Sequence, residues 1–206
     1  MKVHFSIIVV LANILISTNT YAQADHLEPV GGVFDIYNHQ FEYYPTVRKI
    51  LFEDLSDSPD LRYLVMPSFS PEKVIDIEYS GAQGKTFIKY RIADKSIWYT
   101  KDKKQINVLK IDKEITRSSA KLIDSLFKKA ISNTRFPEKE QYGLDGVNYY
   151  FAASNKSGKI WSPRGRTNMA RLVEIGEQLI EFAQNDNQEL DPNQLQSIES
   201  LLQDLP

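Results

Sequence analysis

The chain has 206 residues, with 25 Lys plus Arg against 27 Asp plus Glu, a formal net charge of −2, and no cysteine. An apolar share of 42% with nine Gly and nine Pro describes a globular chain, too apolar for disorder and too poor in Gly and Pro for a fibrous protein. The missing cysteine excludes disulfides, thiolate zinc sites, iron–sulfur clusters and a cysteine nucleophile, and the balanced charge argues against a nucleic-acid binder.

Residues 1–24 read as a secretory signal peptide. Lys2 is the positive start, Phe5 to Ile16 is a mostly apolar run, Ser17 to Thr20 is polar, and Ala22-Gln23-Ala24 is a small-x-small cleavage pattern. The run is about a dozen residues, against roughly 20 for a membrane span. The mature chain is therefore expected to begin near Asp25, with net charge −3 once Lys2 is removed, and to keep no stable membrane anchor. Residues 25–184 are expected to form a single domain, followed over 185–206 by a polar linker and a short C-terminal amphipathic helix.

Residues 25–44 mix Gly31-Gly32 with Phe34, Tyr37, Phe41, Tyr43 and Tyr44 and read as irregular, with a short strand at 33–37. Pro45 suits the first position of a helix carrying Val47, Ile50, Leu51 and Leu55, stopped by Asp57-Ser58-Pro59-Asp60. Leu61 to Met66 reads as a strand. Ile75, Ile77 and Tyr79 alternate with Asp76 and Glu78; beyond a glycine turn, Ile88, Tyr90 and Ile92 alternate with Lys89 and Arg91. That period of two predicts a hairpin whose outward face pairs acids with bases. Ser96–Thr100 and Ile106–Ile111 are expected to form a second hairpin, giving four strands in a meander. Thr116 or Ser118 caps a helix striped by Leu122, Ile123, Leu126, Phe127, Ala130 and Ile131. A third hairpin runs from Val147–Ala152 through a turn at 154–158 to Lys159–Trp161. Thr167 or Asn168 caps a helix to about Gln184, and Asp191-Pro192 with Gln194 reads as a capping box opening the last helix. The pattern predicts an α+β fold: an antiparallel sheet built from hairpins, helices packed on one face, and C-terminal helices.

Charge is segregated along the chain. Residues 25–60 carry net −6, 85–136 net +9 and 174–206 net −8. The basic centre is either neutralised by the acidic ends or offered to an anionic partner.

No nucleotide motif of the G-x-G-x-x-G or Walker type is present, so no cofactor is expected. Only His26 and His39 follow the leader. They are 13 residues apart, without metal-ligand spacing, and no G-x-S-x-G elbow exists, so neither a metal site nor a catalytic residue is assigned. Three carboxylate pairs suit glycan acid–base chemistry: Glu53 with Asp54, Asp76 with Glu78, and Glu174 with Glu177. Each also fits a plain surface role, the third on the solvent side of its helix.

The most distinctive segment is Asp145-Gly146-Val147-Asn148-Tyr149-Tyr150-Phe151, followed by Trp161-Ser162-Pro163-Arg164-Gly165-Arg166. Arg164 and Arg166 precede a helix N-terminus, where the macrodipole favours anions. An internal carboxylate such as Glu174, or a bound anion, is expected nearby. The D-G-x-x-Y-x-F strand, the W-S-P after the turn and the following helix resemble small secreted proteins of Gram-negative bacteria that carry no assigned activity. The resemblance implies a periplasmic or secreted location and transfers no site residue. Together these features suggest an exported, non-enzymatic protein that binds another protein or an anionic envelope component, as an inhibitor, immunity or accessory factor. Its candidate surface is Tyr149, Trp161, Arg164 and Arg166, with no nucleic-acid role. The alternative is a carboxylate-dependent cell-envelope glycan hydrolase.

Overall fold

Alternating apolar residues give each central strand one face to bury, and hairpin turns bring those faces together. The computed structural model describes residues 25–30, 42–137 and 145–206. The leader, the strand expected at 33–37, and His39 lie outside the described residues. The elements in chain order are β1 (Glu28–Pro29), α1 (Tyr43–Leu51), β2 (Leu61–Pro67), β3 (Lys73–Ser80), β4 (Lys85–Ala93), β5 (Val108–Ile115), α2 (Arg117–Ser132), β6 (Val147–Ala153), β7 (Lys156–Trp161), α3 (Asn168–Gln184) and α4 (Pro192–Asp204). The seven strands form one sheet in the order β1-β7-β6-β2-β3-β4-β5, every neighbouring pair antiparallel. The fold is α+β, as the hairpin pattern predicts.

One face carries Tyr63, Val65, Ile75, Ile77, Ile88, Tyr90, Phe151 and Ile160, and it packs on Ile123, Leu126 and Phe127 of α2 and Leu172, Ile175 and Leu179 of α3. Thr116 caps α2 by accepting the Ser119 N–H, and Thr167 caps α3 by accepting that of Ala170. Gly176 lets α3 lie directly on the sheet: a Cβ there would stand 2.5 Å from the Tyr63 ring. The predicted capping box of Asp191 and Gln194 forms, and α4 buries Ile198 and Leu201 against its own domain. Lys113 reaches from the sheet to the carboxyl end of α3, donating to the Asn185 carbonyl at 2.7 Å and to that of Phe182, where a cation complements the macrodipole.

The opposite face is covered in part by α1, whose Val47 and Leu51 pack with Met66, Val74, Ala93 and Ile97 in a smaller second core. The acid–base face of the β3–β4 hairpin, expected to point outward, lies here and is buried. Asp76 is 0% exposed and Arg91 only 2%. The segment after α1 folds back over these strands, because its acids answer their bases. Arg62 grips Asp76 at 2.6 and 2.7 Å, and Arg91 bonds Asp54 at 2.9 and 3.1 Å and Asp112 at 2.7 Å.

Other expectations are corrected. Helix α1 starts at Tyr43, two residues before Pro45. Ser96–Thr100 is no strand: β5 pairs directly with β4, from Ala93↔Val108 to Thr86↔Ile115, so the four-stranded meander is β2-β3-β4-β5. Residues 94–107 form a loop because the N–H groups of Ile97 and Trp98 are taken by a buried carboxylate rather than by a strand. The third hairpin turns on Ser154 and Asn155 alone, with Ser154 at φ 56°. Gly158 instead lies within β7, where a Cβ would meet Leu27 and Thr134 at 2.7–2.8 Å.

Candidate functional site

Antiparallel pairing places three connections at one end of the sheet. They are the β2–β3 connection, the loop 94–107 between β4 and β5, and the start of β6 beside the end of β7. The loop is closed at its neck. The Asp94 N–H donates to the Asn107 carbonyl at 2.9 Å, and both carboxylate oxygens of Asp94 accept from Asn107 at 2.9 Å. These bonds from Asn107 hold the Asp94 carboxyl below its usual range. Such compact loops with joined ends frequently carry function.

Glu72, 0% exposed, is the pin of this loop. Its carboxylate accepts the N–H groups of Ile97 at 2.7 Å and Trp98 at 3.2 Å and the hydroxyl of Tyr43 at 2.6 Å. Burial, reinforced by the bond to Glu72, pushes the Tyr43 hydroxyl far above its ordinary pKa, so it stays a donor. The ammonium of Lys103 ties the carbonyls of Ile97 and Thr100 from the other side. A buried, fully bonded carboxylate thus fixes the backbone on which Trp98 and Tyr99 stand.

What the loop presents is apolar and basic. Trp98 is 43% exposed and Tyr99 57%. Tyr43 meets Trp98 edge-on at 4.9 Å, and Phe69, 68% exposed, stacks on Tyr99 at 6.2 Å. Lys95, Lys101 and Lys104 are exposed in the same loop. The β2–β3 connection is stitched to the β6 strand start, Ser68 donating its N–H to the Gly146 carbonyl at 2.8 Å. Gly146 in turn lies under the Trp161 ring, 2.4 Å from where its Cβ would be.

The sequence-selected residues divide. Trp161, Arg164 and Arg166 stand at this same end, both arginines exposed. Tyr149 does not join them. It projects from the helix-covered face and stacks on Tyr63 at 6.1 Å. The anion expected at the α3 N-terminus is Asp25, not Glu174: its Oδ1 accepts the Met169 N–H at 2.9 Å. Glu174 instead lines a polar groove of about 390 Å³ between α3 and α4, with Arg171, Gln178, Asn193, Gln196 and Ser200.

At least one member of each carboxylate pair is engaged by a cation. Glu78 accepts from Lys89 at 2.7 Å. Glu177, expected on the solvent side of α3, instead accepts from Lys73 at 2.6 Å and from the Tyr63 hydroxyl at 3.0 Å. Burial, with the Glu177 charge behind it, pushes Tyr90 up to about 12. Among the described residues, no group of three or more His, Asp or Glu side chains is placed to hold a metal ion. Much of the basic centre is answered internally: Lys85 by Glu114, Lys89 by Glu78, Arg91 by Asp54 and Asp112, Lys110 by Glu53 and Asp54.

Sequence reading missed Phe69, Glu72, Trp98 and Tyr99. The available signals were the Ile97-Trp98-Tyr99 run, which breaks alternation, and Asp94 and Asn107 bracketing it. No family model matches the chain, and no curated protein is a significant match.

Proposed function

We propose that this is an exported, non-catalytic binding protein of the bacterial envelope, recognising a protein or an anionic envelope component through the aromatic–basic end of its sheet. The observation that carries the reading is the exposure of Trp98 and Tyr99 on a loop held rigid by the buried Glu72. Aromatic anchors on a preorganised backbone are what binding surfaces use, since little ordering entropy is lost when they dock. Lysines around them form the polar rim. The leader pattern supports export. The likeness of the Asp145–Phe151 strand, the Trp161-Ser162-Pro163 turn and the following helix to small Gram-negative secreted proteins supports the same location.

The test is affinity capture from periplasmic extract. Wild type is compared with Trp98→Ser/Tyr99→Ser and with Arg164→Glu/Arg166→Glu, after N-terminal sequencing of the exported chain. Both folded variants are expected to lose partners that wild type retains. If both keep every partner at equal affinity, this surface is not the binding site; an N-terminus still at Met1 would remove the export reading.

A further inference from the structure

Three properties of the sheet end converge on one class of partner. First, its exposed aromatics come from two separate connections at one end of the sheet: Phe69 from the β2–β3 connection, and Trp98 and Tyr99 from the 94–107 loop, exposed by 68%, 43% and 57%. Second, the cations accompanying them stand apart from the ion pairs that neutralise the strands. Lys95, Lys101 and Lys104 are exposed on that loop, and Arg166 is exposed beyond β7. The loop 94–107 holds four lysines against two aspartates, so it is positive within a chain that is negative overall. Third, the backbone beneath is fixed by Glu72, Lys103 and the Asp94–Asn107 neck, so the projecting rings need no ordering on contact.

Trp and Tyr flanked by Lys and Arg match the chemistry of a membrane–water boundary. The amphipathic rings sit at headgroup level there, while the cations meet lipid phosphates. We infer that this end of the sheet docks peripherally on an anionic phospholipid bilayer, with Trp98, Tyr99 and Phe69 entering the headgroup region and Lys95, Lys101 and Lys104 meeting phosphates. The inference rests on the binding reading above and names its partner. The charge of the loop favours an anionic surface over a zwitterionic one, and the spread of the rings across two connections favours a broad surface over a single cleft.

The test is co-sedimentation of the purified protein with vesicles of phosphatidylcholine, with and without phosphatidylglycerol, while Trp emission is recorded. Wild type is expected to bind only the phosphatidylglycerol vesicles, with blue-shifted emission, and to release as salt rises. Lys101→Gln/Lys104→Gln is expected to weaken binding on the order of 30-fold, each basic residue near such a surface contributing roughly a factor of five. Trp98→Ser/Tyr99→Ser is expected to weaken it by about tenfold or more. Tyr79→Ser, at the opposite end of the sheet, is the control and retains binding; circular dichroism verifies that each variant is folded. Failure of wild type to bind, or equal binding by the lysine and aromatic variants, overturns the inference. If vesicle binding fails while the same variants lose a captured protein, the lipid assignment falls and the binding surface stands. If neither assay responds to these variants, both fall.

Discussion

Asp76 shows how burial decides the behaviour of a single residue. In the chain it is one of two acids alternating with apolar side chains, which is the mark of a solvent-facing position. In the fold it is fully buried beneath the segment after α1. Burial raises its pKa to about 6, against the opposing pull of the Arg62 bond. Because the folded-state pKa lies above that of the unfolded chain, the native state binds the proton more tightly. The Asp76 contribution to stability is therefore fullest below about pH 4 and is lost as pH rises through about 6, amounting to about 3 kcal/mol at most across that window. Urea unfolding of wild type and Asp76→Asn at pH 4 and pH 7 checks this. Relative to the variant, wild type is expected to lose stability as pH rises; an equal pH response of the two proteins contradicts it. Asp54 is shifted the other way: more open and bonded to Arg91, it is held below the usual carboxylate range. Two acids, each bonded to an arginine, are thus separated by how much water each retains.

At the scale of elements, the amphipathic helices do what their stripes dictate. The wide apolar faces of α2 and α3 cover one side of the sheet, and α4 packs on both, Lys129 of α2 bonding the Leu202 carbonyl and Arg171 of α3 bonding Asp204. Leu201 of α4 is fully buried among these helices. Leu201→Ala is expected to destabilise the protein by about 2–5 kcal/mol, as other buried leucine truncations do, and thermal unfolding measures it. A change below 1 kcal/mol, roughly that of an exposed site, means that α4 is not part of the cooperative core. The stripes were legible because helical periodicity repeats over several turns. The loop 94–107 was not legible. Ile97-Trp98-Tyr99 has strand-like composition, and only the distant Glu72 diverts its N–H groups from pairing.

At the scale of the whole molecule, the opposed charge blocks resolve into contacts between segments. Glu53 and Asp54 of the acidic N-terminal region reach Arg91 and Lys110 of the basic strands, which closes the 52–60 segment over the polar face of the sheet. Asp54→Asn is expected to cost about 2 kcal/mol, below the 3–5 of a wholly orphaned buried cation because Asp112 still holds Arg91. Amide exchange should quicken in residues 52–60 first. Uniform quickening across all strands would show that the segment is not a separate closure. After these pairs form, the basic centre still exposes Lys95, Lys101 and Lys104 of the 94–107 loop, and Arg117, Lys121 and Arg135 on and after α2.

The sequence by itself determined the α+β class, the caps at Thr116, Thr167 and Asp191, and most helix and strand positions. These rest on periodicity and on hydrogen bonds between residues only a few positions apart. Tertiary structure alone decided which face of the β3–β4 hairpin is buried, that Tyr149 parts company with Trp161, and that Phe69, Trp98 and Tyr99 share one end of the sheet. Those facts depend on strand order and on single long-range bonds such as Glu72 to Trp98 and Asp25 to Met169. A local pattern carries no record of which distant residue will complete it.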